Sequence, residues 1–119
     1  MAQHRTGPMN YQLQQLLQAL ESKAQESKFW KRVVEDLKKP TRQRREVNVF
    51  KIEQYAQDGE TILVPGKVLS VGELNKKVNV AALNFSTEAR RKIMVKGNVL
   101  TIQELLQQNP EGKKVRILG

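Results

Sequence analysis

The stretch Thr61-Ile62-Leu63-Val64-Pro65-Gly66-Lys67-Val68-Leu69-Ser70-Val71 is where the hydrophobic period of this chain changes from helical to extended. Thr61 to Val64 and Lys67 to Val71 are β-rich runs. Pro65-Gly66 between them reads as a turn dipeptide, because Pro fixes φ and Gly accepts a positive one. Downstream, Lys76 to Leu83 predicts a third strand: Val78 and Val80 alternate with polar Lys77 and Asn79 before the run becomes fully apolar. Ser86 or Thr87 starts a helix through Ile93, and Gly97-Asn98 suits a tight turn with left-handed backbone. Thr101-Ile102-Gln103-Glu104 has the form of a capping box for a helix that buries Ile102, Leu105 and Leu106 and stops at Asn109-Pro110. Glu111-Gly112 then turns into a last strand, Val115 to Leu118.

Upstream of Thr61 the spacing is helical. Leu13, Leu16, Leu17 and Leu20 mark one face of a helix from about Asn10 to Lys23. Ser27 can cap a second helix with Phe29 or Trp30, Val33, Val34 and Leu37 inward, ended by Pro40. Asn48 is a plausible cap for a third, short helix carrying Val49, Ile52 and Ala56, with Asp58-Gly59 as its stop. The expected class is α+β: residues 1–9 a flexible basic N-terminus, 10–45 a helical arm with an arginine-rich strip, and 46–119 a compact α+β domain.

At 119 residues the chain has enough surface to bury for one core and not for two, which excludes a large multi-domain enzyme. It carries 21 Lys plus Arg against 12 Asp plus Glu, a net charge of +9, and a basic excess of that size points to a polyanionic partner. The charge is unevenly distributed: residues 1–27 are neutral, 28–45 carry eight basic and two acidic side chains, and 46–119 carry eleven against eight. The absence of cysteine removes disulfides, iron–sulfur clusters, Cys-type zinc sites and thiol catalysis. A single histidine, His4, cannot build a triad or a zinc cluster, and no glycine-rich nucleotide loop is present. No apolar run approaches the ~20 residues that span a bilayer, and Met1 to Met9 lack the apolar core of a secretory signal. The expectation is a protein that is not an enzyme, with no cofactor, no metal, no membrane and no small-molecule substrate.

What the chain offers instead is phosphate-binding capacity. Thr41, Arg42, Arg44 and Arg45 lie in a strip without apolar residues, preceded by Lys31, Arg32, Lys38 and Lys39. Forked guanidinium donors suit phosphate, and arginines this close repel one another unless an anion sits among them. Secondary candidates are Gly66 and Lys67, where a turn glycine would let backbone approach phosphate. Lys76, Lys77, Arg90, Arg91, Lys113, Lys114 and Arg116 complete the set, while Lys92, like Arg91, also reads as an ordinary helix-surface residue. Aromatic residues, at 5%, are too few for an array of base-stacking platforms, and Trp30 reads as core or helix–helix packing. Recognition by shape and phosphate suits folded RNA.

Several strings in order, Lys39-Pro40 with its arginines, Glu46-Val47-Asn48, Ile52-Glu53-Gln54-Tyr55-Ala56, Val64-Pro65-Gly66-Lys67-Val68-Leu69, Val80-Ala81-Ala82-Leu83 with Phe85-Ser86, and Asn109-Pro110-Glu111-Gly112 with Val115-Arg116, carry a resemblance. From about Tyr11 to its end the chain resembles the archaeal and eukaryotic large-subunit ribosomal protein family L-eighteen-e, relatives of bacterial L-fifteen, and looks archaeal in type. The resemblance implies a domain of irregular β-β-α turns behind a helical arm, held in 23S-type ribosomal RNA beside neighbouring large-subunit ribosomal proteins, in the cytoplasmic ribosome. Val49-Phe50 replaces the small or polar residue usual after Asn48 in that family, and Gly97-Asn98 stands where its members often have paired glycines. Two other readings stay open on the residues alone. One is a free-standing nucleic-acid-binding or chromatin-like protein. The other is a protein–protein adaptor, which would require the Leu13 to Leu20 face to be exposed.

Overall fold

Both faces of the strand that begins at Thr61 are apolar, and this sets the architecture. In the computed structural model, which describes residues 8–39 and 45–118, the elements run α1 (Pro8–Ala24), α2 (Lys28–Leu37), β1 (Arg45–Asn48), α3 (Val49–Tyr55), β2 (Thr61–Leu69), β3 (Asn79–Phe85), α4 (Thr87–Met94), β4 (Asn98–Thr101), α5 (Ile102–Gln108) and β5 (Val115–Ile117). The sheet order is β1-β2-β3-β4, and every pairing among the described residues is parallel. Strand β5 pairs with Thr61, Ile62 and Leu63 of β2, while β1 pairs with Gly66 through Leu69. Parallel sheets need cover on both faces. Ile62, Val64, Val68, Val80 and Ala82 pack with Ile52 of α3 and with Ala89 and Ile93 of α4. Leu63 and Ala81 face the other way, onto Leu13, Leu16 and Leu20 of α1, Trp30, Val33 and Leu37 of α2, and Ile102 and Leu105 of α5. The class is α+β, with the helical pair at the N-terminal side.

Three of the four caps hold where the sequence places them, at Ser27, Ser86 and Thr101. The Trp30 N–H donates to Ser27 Oγ (3.3 Å) and the Ala89 N–H to Ser86 Oγ (3.2 Å). At Thr101 both halves of the capping box are present, Glu104 N–H to Thr101 Oγ1 at 3.0 Å and Thr101 N–H to Glu104 Oε1 at 2.8 Å. The leucine face of α1 is buried, with Leu20 at 0% exposure, which removes the adaptor reading's premise.

Four local expectations are corrected. Pro65-Gly66 is no turn: both residues are buried inside β2, and Gly66 does not have a positive φ. One extra residue of β2 bulges against β3 between Val64 and Lys67, and on the other side Val64 and Pro65 fall between β5 and β1. A proline without an N–H fits such a break in the ladder. The third strand starts at Asn79 rather than Lys76, since the Lys77 N–H donates to Asp58 Oδ1 and its carbonyl accepts from Gly59 N–H. Asn48 sits at the cap position of α3, but its Oδ1 accepts from Val71 N–H (3.1 Å) and so ties the end of β1 to the loop after β2. Gly97 and Asn98 adopt no left-handed φ; Gly97 is required because a Cβ there would collide with the Val78 carbonyl, and Asn98 opens β4. His4 and the rest of residues 1–7, and residues 40–44 with Pro40, lie outside the described residues.

Candidate nucleic-acid interface

Helix α2 turns Trp30, Val33, Val34 and Leu37 inward, which leaves Lys31 and Arg32 on its exposed face. Asp36, 7% exposed, holds two cations, the Lys39 ammonium at 3.2 Å and, more loosely, Arg32 Nε at 3.9 Å. The Lys38 ammonium meets Glu21 of α1 at 2.9 Å. Both side chains of that last pair are about half exposed, and such pairs contribute ~0–1 kcal/mol, so Lys38 can exchange Glu21 for a stronger anion.

Thr41, Arg42 and Arg44 lie outside the described residues, as does the side chain of Arg45. The backbone of Arg45 is described, and the sheet fixes where it runs. Arg45 is the register partner of Gly66, and Glu46 that of Lys67. The chain leaving the arginine strip is thus led alongside the Gly66-Lys67 segment. The Lys67 side chain is exposed, with no ion pair or side-chain hydrogen bond among the described residues, and Lys67 is in register with Asn84 of β3. Gly66 itself is buried in the strand, so the open turn that would have brought backbone to phosphate is not there.

A second group gathers at the amino ends of β2 and β5. Lys113, Lys114 and Arg116 line an open groove of about 740 Å³ together with Asp58 and Glu60. Arg116 Nε is 2.9 Å from Glu60 Oε2, and Lys113 is 2.9 Å from Glu111. The hydrogen bond and charge of Lys113 lower the Glu111 pKa, and the same contacts raise that of Lys113. A depressed carboxylate stabilises the fold above its unfolded pKa and loses that contribution as pH falls through its folded value. Lys114 is held at φ 60°. Lys77 adjoins this groove through the hydrogen bond from its backbone N–H to Asp58.

Other sequence candidates are separate or already engaged. The Lys76 ammonium donates to the carbonyls of Glu53 and Ala56 (both 2.7 Å), closing the C-terminal end of α3. On α4, Arg90 is exposed and Arg91 donates to Glu88 Oε1 through both Nε and Nη2. Sequence reasoning missed the internal work of two lysines. Lys92 donates to the Ser70 and Gly72 carbonyls (2.7 and 2.6 Å) and Lys96 to that of Asn75 (3.1 Å), fastening the irregular crossover between β2 and β3. Only the fold brings those carbonyls within reach. Among the described residues no group of His, Asp and Glu is placed to hold a metal ion, and no helix is long and apolar enough to cross a membrane.

The described residues define a small parallel-sheet domain with helices on both faces and basic groups at several places on its surface. The chain belongs to the family of ribosomal protein 60S L18 and 50S L18e, whose model matches residues 3–119. It is similar to the large ribosomal subunit protein eL18 of Methanoregula boonei, 51% identical over 98 residues that cover 82% of this chain and 81% of the relative. The proteins of the same name from Methanosphaerula palustris and Pyrobaculum aerophilum are 52% and 45% identical, the latter over 95% of both chains.

Proposed function

We propose that this chain is a structural constituent of the large ribosomal subunit that binds folded 23S-type ribosomal RNA by phosphate contacts, next to other large-subunit proteins. The observation that carries the reading is the concentration of eight basic residues in 28–45, on a segment whose exit strand runs in register with Gly66-Lys67. Lys31, Lys38, Lys39, Arg42, Arg44, Arg45 and Lys67 form the principal contact surface in this reading. Lys77, Lys113, Lys114 and Arg116 form a second, weaker one, since Asp58 and Glu60 share its groove. Phosphate contacts fix position and orientation without reading sequence, which suits a protein that holds RNA segments together.

Replacing Arg42, Arg44 and Arg45 by Ala is expected to deplete the protein from large subunits after a moderate salt wash. Sucrose-gradient sedimentation measures this directly. Incorporation equal to wild type contradicts the role given to the strip. A wild-type chain that sediments apart from the subunit supports the free-standing nucleic-acid-binding alternative instead.

A further inference from the structure

Between α1 and the carboxyl ends of β3 and β4 lies a cleft of about 380 Å³ that no basic residue lines among those described. In a chain with 28% charged residues, its lining among the described residues is entirely uncharged. The rim carries the side-chain amides of Gln12, Gln15, Asn84 and Gln103, and the floor is apolar, with Leu16, Leu83 and Ile102. Gln15 Nε2 donates to the Tyr11 hydroxyl (3.0 Å), but the amides of Gln12, Asn84 and Gln103 have no hydrogen-bond partner among the described residues. The carboxyl ends of parallel strands are where open sheets commonly take ligands.

The chemistry of this lining selects a ligand class. A phosphate finds no cation among the described lining residues, and a wholly apolar group would leave the amides unanswered. A flat heterocycle with donors and acceptors on its edge satisfies both parts: its face lies on the leucines and isoleucine while its edge meets carboxamides, which present a donor and an acceptor side by side. Lys67 does not line the cleft, but it is the register partner of the rim residue Asn84 on the adjacent strand, so a cation is one strand away from where the phosphate attached to such a heterocycle would need a counter-charge. We propose that this cleft receives one unpaired nucleobase of the RNA, extruded from its stack, so that a site for base contact adjoins the phosphate-binding surface. The inference rests on the RNA-binding reading above and adds a base contact that phosphate neutralisation does not require.

The test uses the full chain with 23S-type ribosomal RNA, probed by base-specific chemical modification and by equilibrium binding over a salt series. Asn84→Ala combined with Gln103→Ala removes two exposed amides that make no internal bond, so circular dichroism should match wild type. The wild type should protect the pairing edge of one unpaired base, and the double variant should restore its reactivity. Affinity should fall roughly tenfold while the salt slope stays the same, because a base contact releases no counterion. Unchanged base protection and affinity in the variant would overturn the inference while leaving phosphate binding intact. A wild type that does not bind the RNA at all overturns the parent reading, and this one with it.

Discussion

Trp30→Ala should lower the unfolding free energy by about 3–5 kcal/mol, the usual cost of emptying a large aromatic site. Trp30 is wholly buried between the helical pair and the sheet. Its indole Nε1 donates to the Pro110 carbonyl (2.9 Å), and its ring meets Phe29 edge-on with centroids 4.8 Å apart. Phe29 in turn packs so closely on Gly112 that a Cβ at that glycine would strike its ring. The substitution therefore leaves a cavity, an unpaired carbonyl and a loosened turn ahead of β5 at once. For a domain near this size each kcal/mol shifts the midpoint by about 4–8 °C, so thermal denaturation should show a drop of 12 °C or more. Trp30→Phe, which keeps most of the packing and loses the indole donor, should cost much less. A near-neutral Trp30→Ala would mean that α2 is not seated on the sheet as described.

Gly97→Ala is the second substitution with a large expected effect, and its cause is steric rather than conformational. Gly97 N–H donates to the Ile93 carbonyl (2.8 Å) and the next residue's N–H to the Val78 carbonyl (3.2 Å), which draws the end of α4 onto the start of β3. A Cβ at Gly97 would overlap the Val78 carbonyl oxygen, so the backbone must move and the Asn79–Asn98 register that starts the β3–β4 pairing must open. The expected loss is about 3 kcal/mol. Gly59 supplies the contrast: it has φ +86° and nothing within 4 Å of its would-be Cβ, so Gly59→Ala should cost only about 1 kcal/mol of backbone strain. Denaturant midpoints compare the two, and a larger loss at Gly59 would contradict the steric account.

These two positions also show what could be read without a structure. Trp30 was legible as core because it falls on the helical stripe with Val33, Val34 and Leu37. Gly97 was legible as special, but for the wrong reason, because a glycine needed for close approach looks the same in sequence as one needed for a turn. Pro65-Gly66 misled in the same way. Local turn preference gave way to a strand apolar on both faces, and the proline settled at the one place where neither β5 nor β1 pairs with it. Strands β1 and β4 went unread because each has four residues and, among the described side chains, β1 buries Val47 alone, so that pairing rather than pattern defines them. Among the basic candidates, sequence could rank segments by charge but could not separate Lys67, exposed and without an ion pair, from Lys76, whose ammonium closes a helix. That separation depends on distances between residues about twenty positions apart.

If, as proposed, the basic excess concentrated in residues 28–45 neutralises RNA phosphates, binding must weaken steeply as salt rises. The direct measurement is the affinity of the purified chain for 23S-type ribosomal RNA as a function of salt. With about six phosphates engaged, the slope of log affinity against log salt should be roughly −4 to −5, and Ala at Arg42, Arg44 and Arg45 together should make it shallower by about 2 to 3. A wild-type slope near zero, or a slope unchanged by the three substitutions, would contradict the account.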